Sequence, residues 1–346
     1  MFGFQSSWLF KIIYTLSSIF GLISLLMVVA FYVLAERKVL GSLQRRRGPH
    51  AVGFWGLAQP ILDGVKLALK EVITPGFSSV IVYFIAPLAI LILAFTCWVF
   101  MPLAFNVALI DSDLSLVLIL GFSSLGVYGI LGAGWASSSH YALIGGLRSV
   151  AQLISYELNL GLIVLPVAMV AGSLNLIEIV SAQMRATWFC LPFLPLFSLF
   201  LISGFAETNR TPFDLPEAEA ELVAGFNVEY SATTFAMFFL AEYANMVLMS
   251  TFGTILFLGG WGSNLFFFLV KVFGWAFFFI LVRGALPRYR HDQLMFLGWK
   301  NFLVFVFGYF IFIFGIFTFF DAFPYSPLFV WKHISFLANS LFLIYG

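Results

Sequence analysis

Charge is what this 346-residue chain has least of: 17 Lys plus Arg and 16 Asp plus Glu amount to 10% of it. An ordinary soluble domain carries roughly 25%. With 62% hydrophobic residues and a mean hydropathy of +1.04, too little polar surface remains to cover a water-soluble core. The net charge of +1 supplies no bulk field for nucleic acid or acidic ligands. Cysteine is nearly absent. Cys97 and Cys190 stand in separate apolar stretches, and His50, His140, His291 and His333 are scattered, so no spacing suits zinc or an iron–sulfur centre. No glycine-rich phosphate loop occurs either. These absences exclude disulfide-scaffold, collagen-like, disordered and nucleotide-binding readings. They also leave the chain with no expected metal, flavin or iron–sulfur cluster of its own.

What remains is an all-α integral membrane protein, one polytopic domain with about eight transmembrane helices. Stretches of about 20 residues with few charges mark the spans. They lie at about 11–34, 80–103, 114–135, 150–172, 188–206, 232–258, 265–284 and 302–320. The first is too long for a signal-peptide core and is expected to be retained. Thirteen of the seventeen basic residues fall in loops after odd-numbered spans. By the positive-inside rule, those loops (about 36–79, 136–149, 207–231 and 285–301) face the matrix or cytoplasm, and both termini face outward. The apolar stretch 328–345 carries Lys332 and His333 and reads as interfacial rather than as a ninth span.

The loop after the first span contains a helix of its own. Over residues 57–72, Leu57, Ile61, Leu62, Val65, Leu69 and Val72 form one apolar face, with Gln59, Asp63, Lys66 and Lys70 opposite. Sixteen residues cannot span, so this interfacial amphipathic helix should lie along the membrane surface. It is either an anchor whose lysines meet lipid headgroups or the rim of an opening from lipid into protein.

Three carboxylates fall inside or at the edge of spans: Glu157, Glu207 and Glu242. A charge at the bilayer centre costs about 2.5–3.5 kcal/mol on insertion scales. Such groups turn inward and find partners or take up protons. Either a structural hydrogen bond or a proton relay accounts for one of them; three on one side favour the relay. Glu207, Asp214, Glu217, Glu219, Glu221 and Glu229 then crowd a single loop with one cation, Arg210. Capping-box spacing accounts for Asp214 and Glu217. It does not account for Glu207 and Glu229, which bracket the loop.

These residues carry a family resemblance. Ala35-Glu-Arg-Lys-Val-Leu-Gly41, Arg47-Gly-Pro49 and Gly56-Leu-Ala-Gln-Pro-Ile-Leu-Asp63 resemble the subunit 1 family of respiratory complex I, which includes the equivalent chain of bacterial NADH-quinone oxidoreductase. So do Phe205-Ala-Glu-Thr-Asn-Arg-Thr-Pro-Phe-Asp214 with its acidic continuation to Gly225, Ser155-Tyr-Glu157, Ala241-Glu-Tyr-Ala-Asn245 and Pro287-Arg-Tyr-Arg-His-Asp-Gln-Leu-Met295. The match extends from about residue 33 to 303. Beyond Ala322 no motif matches, and His50 replaces the family's usual Asn or Asp.

The resemblance implies a core membrane subunit of proton-pumping NADH:ubiquinone oxidoreductase, without catalytic residues of its own. Ubiquinone, as substrate, would pass residues Arg37, Asp63, Phe235, Phe239 and Arg283. Protons would follow Glu157, Glu207, Arg210, Asp214, Glu217, Glu219, Glu229 and Glu242. Peripheral-arm quinone-binding and iron–sulfur subunits would dock on the matrix side, at Arg45, Arg46, Arg47, Arg148, Arg288, Arg290 and Asp292. Neighbouring membrane-arm subunits and lipids would cover the rest. Forty-five phenylalanines point to an AT-rich organellar gene and hence the mitochondrial inner membrane, with a bacterial plasma membrane as the alternative. The competing functions are a stand-alone secondary transporter, which should show inverted repeats, and the equivalent subunit of a membrane-bound hydrogenase.

Overall fold

The computed structural model describes residues 3–104, 108–214, 225–262 and 264–319, with side chains from residue 19 onward. Its helices are α1 Gly3–Leu43, α2 Gln59–Leu69, α3 Val80–Val99, α4 Ser115–Ala136, α5 His140–Ala171, α6 Leu176–Arg185 and α7 Leu194–Glu207. After these come α8 Ala232–Phe257, α9 Leu265–Ala285 and α10 His291–Phe319. Among the described residues seven are long and apolar enough to cross a membrane: α1 (from Ile19), α3, α4, α5, α8, α9 and α10. The chain is an all-α integral membrane protein.

Burial orders the bundle. The apolar windows of α5 and α8 are 56% and 61% buried, against 22% for α1 and 11% for α10, so α5 and α8 form the centre. Helices with exposed Leu, Ile and Phe surround them, as lipid-facing positions require. Close backbone approach replaces a hydrophobic drive between helices. A Cβ on Gly145 of α5 would stand 2.7 Å from the Cα of Gly225, so glycine there lets the loop before α8 lie against α5.

Four boundaries differ from the hydropathy reading, each for a physical reason. Helix α1 runs past Ala35 through Glu36, Arg37 and Lys38 to Leu43, because charges end an apolar run without ending a helix. Helix α5 begins at His140, with Ser139 accepting a hydrogen bond from the Ala142 N–H, so the expected loop 136–149 shrinks to residues 137–139. Helix α10 begins at His291 rather than 302 and includes a π-helical turn over Leu297–Phe302. Asn159 and Tyr156 of α5 donate to the Gly298 and Leu294 carbonyls there, at 3.2 Å each. The expected loop 285–301 is thus residues 286–290.

The fourth difference is the stretch 188–206. Its helix, α7, has 14 residues, a length of about 21 Å against a hydrocarbon core of about 30 Å. Pro192 bars helix through the preceding residue, and Pro195 is tolerated only in a first turn. The 188–193 segment is turns, tied down by Cys190 N–H donating to Phe257 O at 2.9 Å.

Within the expected surface segment, α2 takes eleven residues with Pro60 in its first turn. Ile61, Leu62, Val65 and Leu69 are all exposed. The turn before α2 needs its glycine: Gly56 has φ +75°, and a Cβ there would stand 2.4 Å from Pro49 O. Lys38 donates to Trp55 O at 2.5 Å, fastening this turn to the end of α1.

Candidate functional site

The ends of α1, α7 and α9 meet the starts of α5, α8 and α10 at one end of the bundle, and most candidate residues gather there. Their centre is a residue that sequence reasoning passed over. Glu36, on the last turns of α1, is 5% exposed. It accepts a hydrogen bond from Arg283 of α9, and its Oε2 accepts from Tyr243 OH of α8 at 2.5 Å. Arg210, in the turn after α7, places Nη1 3.8 Å from Glu36 Oε1 and Nε 2.8 Å from Glu242 Oε1. The Arg210 guanidinium also lies 4.6 Å from the Tyr243 ring centroid, a cation–π contact. Two carboxylates and two guanidiniums from four segments thus share one cluster, with Glu36 and Arg210 buried and Glu242 and Arg283 partly so.

An aromatic stripe leads away from it along α8. Phe235, Phe239 and Tyr243 recur at helical spacing, with centroids 4.5 Å and then 6.4 Å apart. Tyr32 of α1 packs edge-on to Tyr243 at 5.9 Å and donates to Ala276 O at 3.0 Å. Nearer the surface, Arg37 pairs with Asp63 of α2 at 2.6 Å, and Gln59 donates to the other Asp63 oxygen at 2.9 Å. The five residues matched to a quinone path therefore lie on α1, α2, α8 and α9, around the end of α1.

On the other side of Glu242 is a cavity of about 100 Å³, lined in part by Glu207, Glu242, Asn209, Asn227, Asn245 and Ser123. That is room for several waters, since one needs about 10–15 Å³. Glu207 Oε2 is buried and has no hydrogen-bond partner among the described residues. Glu157 of α5 is half-buried beside Ser124 and close enough to Glu207 for their charges to interact. No basic side chain lies within ion-pair distance of Glu207 or Glu157 among the described residues.

The remaining candidates divide. Asp214 pairs with Arg288 at 3.3 Å, so this cation expected at a docking surface is engaged within the chain. Phe213 stacks on Tyr289 at 5.4 Å, and Tyr289 N–H donates to Pro212 O, joining the acidic loop to the α9–α10 turn. Gln152 of α5 holds the same loop through the Ala206 and Phe213 carbonyls at 2.8 and 2.9 Å. The Glu229 side chain is half-buried and its carbonyl accepts from Tyr83 OH at 2.8 Å. Tyr83 stacks on Tyr230 at 4.3 Å; burial first, and Tyr83 second, raise the Tyr230 phenol above its ordinary range, keeping it a donor to Ala133 O. Arg45, Arg46 and Arg47 are exposed, Arg148 is half-buried, and Arg290 and Asp292 pair at 2.9 Å in the open. Glu217, Glu219 and the tail from residue 320 lie outside the described residues. No group of three metal-ligating side chains occurs among the described residues.

The family model described as NADH dehydrogenase matches residues 16–314. The chain is 51% identical over 293 residues to NADH-ubiquinone oxidoreductase chain 1 of Chondrus crispus, covering 82% of this chain and 90% of that protein. With the chain 1 protein of Arabidopsis thaliana it shares 52% over 299 residues, covering 83% and 92%. A bacterial relative, a subunit of NADH-quinone oxidoreductase from Paramagnetospirillum magneticum, is 49% identical over 310 residues, covering 87% and 91%. The chain belongs to the NADH dehydrogenase family.

Proposed function

We propose that this chain is the membrane subunit of a proton-translocating NADH:quinone oxidoreductase that borders the quinone path and starts proton transfer. The observation carrying this reading is the adjacency of two environments at one end of the bundle. The Arg37–Asp63 pair, the Phe235–Phe239 stripe and Arg283 form an amphipathic wall suited to a quinone with a polar head and an apolar tail. The cavity at Glu207, apolar over most of its wall with Glu207, Glu242, Asn209, Asn227 and Asn245 among its lining, begins directly behind Glu242, which shares Arg210 with the wall's cluster. Electrons would reach the quinone from partner subunits.

Waters in the cavity would link Glu207 to Glu157 and Glu242 as a proton relay. Asp214 and Arg288 tie the loop after α7 to the α9–α10 turn, and Glu217, Glu219 and Glu229 would extend the acidic path. Peripheral-arm subunits dock at this end, at the exposed Arg45–Arg47 segment, Arg148, Arg290 and Asp292, with both termini on the opposite side. The outward apolar faces of α1, α9 and α10 meet lipid or neighbouring membrane subunits. The phenylalanine content and the algal and plant relatives support a mitochondrial inner membrane.

Glu207→Gln and Asp214→Asn in the assembled complex test this. Both should lower quinone-coupled turnover and pumping by about tenfold, equivalent to about 1.4 kcal/mol. NADH oxidation by artificial acceptors, a property of the peripheral arm, should persist. Unchanged quinone reduction and pumping in both variants overturn the assignment.

A further inference from the structure

Arg210 stands between carboxylates of two different helices: 2.8 Å from Glu242 of α8 and 3.8 Å from Glu36 of α1. Its side chain is 5% exposed. Its backbone is fixed separately, with the N–H donating to Phe205 O at 3.2 Å and the carbonyl accepting from Phe213 N–H at 2.8 Å. The two carboxylates look onto different surroundings. Glu36 is held by Arg283 and Tyr243, at the end of the aromatic stripe. Glu242 lines the cavity together with Glu207.

We propose that Arg210 is a positioning residue that joins the two surroundings. It holds Glu36 and Glu242 on one guanidinium, so that a change of charge or position at the Glu36–Arg283 end alters how firmly Glu242 is held at the cavity. The proposal rests on reading the stripe as quinone-facing and the cavity as a proton path. A planar guanidinium presents donors on several edges at once, whereas a lysine ammonium is a compact point charge at the end of a flexible stem. Burial keeps such interactions from being screened by salt. The unequal distances place Arg210 nearer Glu242. Drawing it toward Glu36 therefore loosens Glu242, and releasing it does the reverse. Tyr243 supports the exchange from both sides, giving its ring face to Arg210 and its hydroxyl to Glu36.

The test is a double-mutant cycle in the assembled complex. Glu36→Gln, Glu242→Gln and the pair are made in the wild-type and Arg210→Lys backgrounds. The readouts are kcat and KM for quinone reduction and protons pumped per electron, each normalised to the amount of assembled complex. With arginine in place, the effects of the two glutamines on kcat should depart from multiplicativity by about fivefold or more. With lysine the departure should fall to within about twofold. Multiplicative effects in the wild-type background, or the same departure in both backgrounds, overturn the proposal. Glu36→Asp and Arg210→Gln replace any member that does not assemble, with the same two results deciding. Glu207→Gln separates the levels. If it leaves turnover and pumping intact, the cavity reading fails. If it lowers them and the cycle is multiplicative, the bridge alone fails.

Discussion

Two buried acidic regions lie within a few side chains of each other and are built on opposite principles. In one, Glu36 and Glu242 are neutralised by Arg210 and Arg283, with Tyr243 adding a hydrogen bond. In the other, Glu207 borders a largely apolar cavity with the half-buried Glu157 near it, and neither has a cation at ion-pair distance among the described residues. A buried ion pair gains little net stability over an apolar substitute, but breaking one partner away is costly. The paired region is therefore organised to hold a fixed charge pattern where α1, α8 and α9 meet. The region lacking cations sets the Glu207 carboxyl beside water-sized space, an arrangement that serves proton exchange better than it serves stability.

Removing Glu36 breaks this contrast hardest. Glu36→Ala leaves Arg283 and Arg210 without their shared anion and should cost about 3–5 kcal/mol, read as loss of assembled subunit or a lower melting temperature of the complex. Tyr243→Phe deletes one hydrogen bond to a charged group and should cost about 1.5–3 kcal/mol by the same measurement. Glu207→Gln, by contrast, should change the melting temperature little, because no ion pair is lost, while reducing coupled turnover as described above. The exposed pairs set the lower end. Asp63→Asn disrupts a partly exposed ion pair worth at most about 1 kcal/mol, so it should raise the KM for quinone without reducing assembly. Arg290→Ala, at a pair with side chains 76% and 68% exposed, should leave stability within about 0.5 kcal/mol. A large stability loss in Glu207→Gln, or none in Glu36→Ala, would erase the distinction.

Much of this was legible in the sequence, for reasons that also explain what was not. Hydropathy locates spans because the bilayer fixes their length, and buried carboxylates stand out where charge is rare. The amphipathic period of residues 57–72 announced α2. Glu36 is the first charge after an apolar run and so reads as a boundary, while its neighbour Arg37 carries the functional expectation. In the structure α1 continues through both: Glu36 turns inward and Arg37 turns to Asp63. The signal was available in principle, since adjacent residues on a helix point about 100° apart and cannot share one environment. The shortening of α7 was hidden because hydropathy does not register proline, although Pro192 and Pro195 were in plain view. That Arg288 belongs to Asp214 is a long-range pairing, which spacing along the chain does not choose.

The most direct test of the central claim is infrared difference spectroscopy of the assembled complex before and after quinone reduction, on wild type and Glu207→Gln. If Glu207 exchanges a proton during turnover, a carboxyl C=O band should change on reduction in the wild type and be missing from the variant. Identical difference spectra would show that Glu207 keeps one protonation state throughout, and would contradict a proton-transfer role for the cavity.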